Sequence, residues 1–214
     1  MSAVLHYIYD PMCGWCYGAE PLAWAAATAD DFSLAMHAGG LWPAPTRLPE
    51  PTRRYIQQAD ARVAQISGQP YGDAYLNGLL LDPTMTLDSR PTTAAVLAAQ
   101  SLDPTKGLAM LRGIQHAHYE RGLRVVEPEV LASIAVEIGL DRRAFVDAMA
   151  RVPVDEHIDA TRELMGRLGA QGFPFFALEV GDTWYPVPHG RFASNAEQFR
   201  AWLSTQVKTL SAQR

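Results

Sequence analysis

Seven residues near the N-terminus, AVLHYIY from Ala3 to Tyr9, are apolar, aromatic or β-branched, and Asp10-Pro11 stops the run. Such a run suits a strand covered on both faces, in the middle of a parallel or mixed sheet. His6 inside it reads as a hydrogen-bonded core histidine, because no second ligand stands beside it. The next residues hold both cysteines of the chain, Cys13 and Cys16, three positions apart.

The pattern then alternates. AEPLAWAAATA reads as a helix that Pro21 kinks in its early turns, and Phe32 to Trp42 as a second strand ending at Gly39-Gly40. Pro43 to Pro51 is a linker by composition. From about residue 52 to 169 the apolar residues recur at helical spacing, as in Leu108, Leu111, Gln115 and His118, in Val130, Leu131, Ile134, Ala135 and Ile138, and in Ile158, Met165 and Leu168. Asp103-Pro104 and Glu127-Pro128 place proline in a first helical turn, and Asp141 can cap the helix carrying Phe145 and Met149. Near Gly172 strand character returns. FFALEV and TWYPVP are joined by Gly181-Asp182, a hairpin turn, and Ser194 to Glu197 reads as a capping box opening a last helix with Phe199, Leu203 and Leu210 on one side. The expected architecture is an α/β domain over 1–50 and 170–214, interrupted by a helical insertion over 51–169.

At 214 residues, 48% of them hydrophobic and 19% charged, the chain can bury a real core. A net charge of −5 argues against a nucleic-acid partner. No apolar window approaches a membrane span, and the opening residues show no secretory pattern, so the expected compartment is the cytoplasm. Oligomeric state leaves no readable trace.

Three readings compete for the cysteines: a redox pair, half a metal site, or an accident of composition. Zinc asks for four protein ligands, or three and a water. A second cysteine pair is absent, and the histidines other than His6 lie far along the chain, so no metal is expected. The redox reading asks for a strand, a turn and a helix beginning near Cys13, and that is the local pattern. In a first helical turn the two Cα atoms come close enough for a disulfide. Unpaired backbone N–H groups and the positive end of the helix dipole there favour a thiolate over a thiol.

A strand followed by Cys-x-x-Cys and a helix with proline at Pro21, then Gly172-Phe173-Pro174 before a late hairpin, resembles the thioredoxin superfamily. The large helical insertion is similar to that of the DsbA family, and Asp10-Pro-Met-Cys-Gly-Trp-Cys16 to its FrnE-like subgroup. The resemblance implies a thioredoxin-like fold with a helical insertion and a thiol–disulfide oxidoreductase. Cys13 would attack and Cys16 would resolve. Gly14 and Trp15 would tune the pair, with Trp15 offering apolar surface to a substrate or packing against the insertion. Phe173 and a cis Pro174 would hold an extended substrate by the main chain.

One position departs from the family. An acidic residue six places before the first cysteine assists proton transfer in thioredoxin-like proteins, and Tyr7 stands there. Asp10 is nearer, in the turn, where it either caps the helix or takes part in proton transfer. Expected partners are protein or small-molecule thiols and disulfides. No cofactor is required beyond glutathione as a co-substrate. The alternative is a glutathione-dependent isomerase or transferase resembling 2-hydroxychromene-2-carboxylate isomerase and the kappa-class glutathione transferases, which need no resolving cysteine.

Overall fold

In a computed structural model describing residues 3–212, Ala3–Tyr9 is the inner strand β1 of a four-stranded sheet. β2 (Ser33–Ala38) runs parallel to it, Val4 beside Ser33 and Tyr9 beside Ala38. β3 (Phe175–Val180) lies antiparallel on its other side, and β4 (Thr183–Pro186) pairs antiparallel with β3, giving the order β2-β1-β3-β4.

Both faces of β1 are covered, which is why its sequence shows no alternation. Leu5, Tyr7 and Tyr9 face α1 (Gly14–Ala26) and α8 (Ala196–Ala212), while Ile8 packs with Leu164 and Met165 of α7 (Val154–Leu168). His6 is a core histidine, hydrogen-bonded to His37 and to Glu179, both at 2.9 Å.

Between β2 and β3 the chain is helical: α2 (Glu50–Ser67), a π-turn at Ala74–Gly78, a 3₁₀ turn at Leu79–Leu81, α3 (Ser89–Leu102), α4 (Lys106–Tyr119), α5 (Pro128–Glu137), α6 (Arg142–Met149) and α7. One apolar cluster runs without interruption from Leu5 and Leu22 to Leu111, Leu131 and Phe145, so these helices share a core with the sheet.

Three local expectations shift. β2 stops at Ala38, not Trp42, because Gly40 turns the chain with φ of +64°, which favours glycine. The amides of Leu41 and Trp42 then leave the ladder for Asp10 and Ser89. Pro104 lies in the turn before α4, where the Asp103 carboxylate accepts from the Thr105 amide at 2.8 Å. The last helix is capped by Asn195, not Ser194: its Oδ1 accepts from the Gln198 amide at 2.9 Å. Asp141 caps α6 as expected, accepting from the Ala144 amide.

Candidate active site

Cys13 is the N-cap of α1, with extended backbone (φ −105°, ψ 117°), and its carbonyl accepts from the amides of Cys16 and Tyr17 at 3.0 Å. The first helical amides, of Gly14 and Trp15, have no acceptor within the helix. Pro21 costs α1 the bond that would end on the Tyr17 carbonyl. Gln69, beyond α2, takes that place: its side-chain amide donates to the Tyr17 oxygen at 3.1 Å. The helical block thus repairs the helix that carries the cysteines.

Both cysteines are thiols. Cys16 is fully buried, and Cys13, 7% exposed, borders a cavity. Burial pushes the Cys16 thiol pKa well up, with the neighbouring Cys13 adding to the rise, while the Asp10 amide at 3.4 Å opposes it. The Cys13 thiol points at the Phe173 carbonyl, 3.9 Å away, and the Phe173–Pro174 peptide is cis. The ring of Phe173 lies so close to Gly39 that a Cβ there would come within 2.3 Å of it, and the Arg162 guanidinium sits over the ring, 5.1 Å from its centroid.

Asp10 caps no helix. Its Oδ1 accepts from Met12 at 2.8 Å and its Oδ2 from Leu41 at 2.7 Å, so the carboxyl ties the cysteine turn to the strand end beside it. Burial raises its pKa, against the pull of the Ser89 hydroxyl and the two amides. Tyr7 is buried beneath α1; its hydroxyl donates to the Cys16 carbonyl at 3.3 Å, and burial holds its proton tightly. Trp15 is 45% exposed, on the lip of the site rather than packed away in the insertion.

Two hollows flank the pair. One, of about 280 Å³, runs between α1 and α2 past Trp15, Val63, Pro174 and His189. The other, of about 180 Å³, is lined by Cys13, Gly14, Trp42, Tyr75, His118 and Asp60, among others. His118 separates from His116 as their spacing requires: it is buried, with burial pushing its pKa down to about 4. Trp42, Asp60, Tyr71 and Tyr75 are the residues that local motifs missed. Asp60 left one trace, an acid between Ile56 and Val63 on the inward side of a helix. Among the described residues no cluster could hold a metal ion, and no helix is long and apolar enough to cross a membrane.

A family model of the DSBA-like thioredoxin domain matches residues 4–197. None of the curated proteins compared with the chain matches it. Among solved structures, the cytosolic disulfide reductase DsbM from Pseudomonas aeruginosa is 43% identical, with a TM-score of 0.88, covering 96% of this chain and 99% of that one. The same reductase with GSH is matched at 42% identity and a TM-score of 0.86, over 96% and 99% of the two chains. A putative protein disulfide isomerase from Nitrosomonas europaea, at 24% identity and a TM-score of 0.82 over 98% and 99%, shares the fold.

Proposed function

The chain belongs to the DSBA-like thioredoxin family and is a thiol–disulfide oxidoreductase; we propose that it works as a cytoplasmic disulfide reductase supplied with electrons by glutathione. The observation that carries this reading is the asymmetry of the two thiols. Cys13 borders a hollow at the start of a helix, and Cys16 is sealed beneath it. A nucleophile must be reached by substrate, whereas a resolving thiol need reach only its neighbour.

Cys13 as thiolate attacks one sulfur of a substrate disulfide, forming a mixed disulfide and releasing the first product thiol. Cys16 then attacks the Cys13 sulfur, releasing the second product and leaving the Cys13–Cys16 disulfide. Two molecules of glutathione reduce that bond and depart as glutathione disulfide, so two electrons pass from glutathione to substrate. Trp15 and the Phe173–Pro174 backbone form the docking edge, on the support of their placement around Cys13. The names of the 43% identical cytosolic reductase and of its GSH complex support the direction and the reductant.

Cys16→Ser tests the assignment. With glutathione disulfide the variant should accumulate a Cys13–glutathione mixed disulfide, visible as one added glutathionyl mass. Its absence, with the unsubstituted protein active in insulin reduction, overturns the roles given to the two cysteines.

A further inference from the structure

Asp60 projects from α2 into the hollow that Cys13 borders and is 4% exposed. Tyr75, from the π-turn, donates its hydroxyl to Oδ2 at 2.8 Å. Among the described residues Tyr75 supplies the hydrogen bond that acts on this carboxyl, and no cation pairs with it. A Cβ built on Gly14 would stand 2.2 Å from Oδ1, so this oxygen rests on the backbone adjoining Cys13. Gly14 is what lets the acid come so near.

A buried acid with one hydroxyl donor and no cation beside it is costly to the fold. The groups around it do not neutralise it. Cys13 and Gly14 face it from α1, Tyr71 and Tyr75 from the segment after α2, and His118 and Tyr119 from α4. His118 is kept neutral by burial, and Arg53 on the same helix donates to the Leu48 carbonyl.

We propose that Asp60 is a catalytic residue of the exchange reaction, the acid that protonates the thiolate departing from the Cys13 centre. The inference rests on the exchange assigned to Cys13 above. The Cys13 thiolate attacks R–S–S–R′; the Cys13–S–R bond forms, the S–S bond breaks, and R′–S⁻ leaves with its electron pair. The disulfide is reduced, and the Cys13 sulfur is oxidised to the mixed disulfide. Asp60 gives its Oδ1 proton to R′–S⁻, and the carboxylate recovers a proton from solvent. In reverse, the carboxylate takes the proton of an incoming thiol. Burial lifts the carboxyl to about 7, opposed by the Tyr75 bond, so both forms are present near neutrality. That matches the demand on a group that must give a proton and take it back.

The test compares two leaving groups on the prereduced full chain. An alkyl thiolate holds a proton tightly and profits from an acid; an aryl thiolate leaves without one. In Asp60→Asn the amide oxygen can still accept from Tyr75. Single-turnover reduction of glutathione disulfide near neutral pH should slow by about 100-fold. Reduction of dithiobis-nitrobenzoate should change by less than about threefold. The falling limb of the alkyl pH profile should vanish with the acid. In Tyr75→Phe, which keeps the acid but removes the bond that lowers its pKa, that limb should move to higher pH. Equal slowing of both disulfides, no slowing of either, or an unmoved limb in Tyr75→Phe overturns the proposal. If the unsubstituted protein reduces neither disulfide, the failure is that of the exchange assignment itself.

Discussion

The backbone amide of Asp10 donates to the Cys16 sulfur at 3.4 Å, from the turn that ends β1. The sulfur is fully buried, and its neighbours make the thiolate costly, so this amide is the group that eases its ionisation. The same residue's carboxyl holds the turn in shape through Met12 and Leu41. Backbone and side chain of Asp10 thus act on the pair from one point.

Alkylation should separate the two cysteines. Iodoacetamide on the reduced native protein near neutral pH is expected to label Cys13 and spare Cys16, whose thiol is buried and whose pKa is raised. Peptide mass spectrometry checks this, and both sites should label in urea. Native labelling of Cys16 at the rate of Cys13 would contradict the asymmetry.

Asp10→Ala should destabilise the fold by about 1–4 kcal/mol, since it removes the acceptor of the buried Met12 amide and of the part-buried Leu41 amide. Urea unfolding measures the loss. The Cys13 mixed disulfide should also resolve more slowly, because the turn that presents the Asp10 amide to Cys16 loses its tie.

Asp60→Asn should raise stability in a pH-dependent way. Folding lifts this carboxyl from the ordinary range to about 7, so between about pH 4 and pH 7 the folded chain holds more protons than the unfolded one. Stability from this group is therefore complete below the unfolded pKa and is lost as pH rises. The asparagine variant escapes that loss. It should exceed the unsubstituted protein by about 1–4 kcal/mol near pH 8, with the gap closing toward pH 4. Urea midpoints at the two pH values decide it, and a gap independent of pH would refute the burial argument.

Trp15→Ala should leave stability within about 0.5 kcal/mol, as an exposed side chain contributes little to the core. Its effect belongs on substrate. The kcat/KM for insulin reduction should fall by about tenfold, the loss of apolar contact at the lip, and that for glutathione disulfide by less. Equal losses on both substrates would place Trp15 in the chemistry rather than in docking.

Much of this was written locally. Seven unalternating residues are enough to require cover on both faces of β1, and two cysteines after Asp10-Pro-Met require a helix start if they are to meet. The Gly181-Asp182 hairpin and the Asp141 cap are likewise contacts between residues a few positions apart, so sequence spacing encodes them. The end of β2 moved by four residues because Leu41 and Trp42 take long-range amide partners, and the cap of α8 by one because Asn195 took it. Asp60 lies outside any local rule. It stands 47 positions from Cys13, and only the packing of α2 across α1, with a glycine at 14 to admit it, brings an acid into the cavity that Cys13 borders. Motifs record which chemistry a chain carries; which protonated groups surround it depends on distant helices closing over the same cavity.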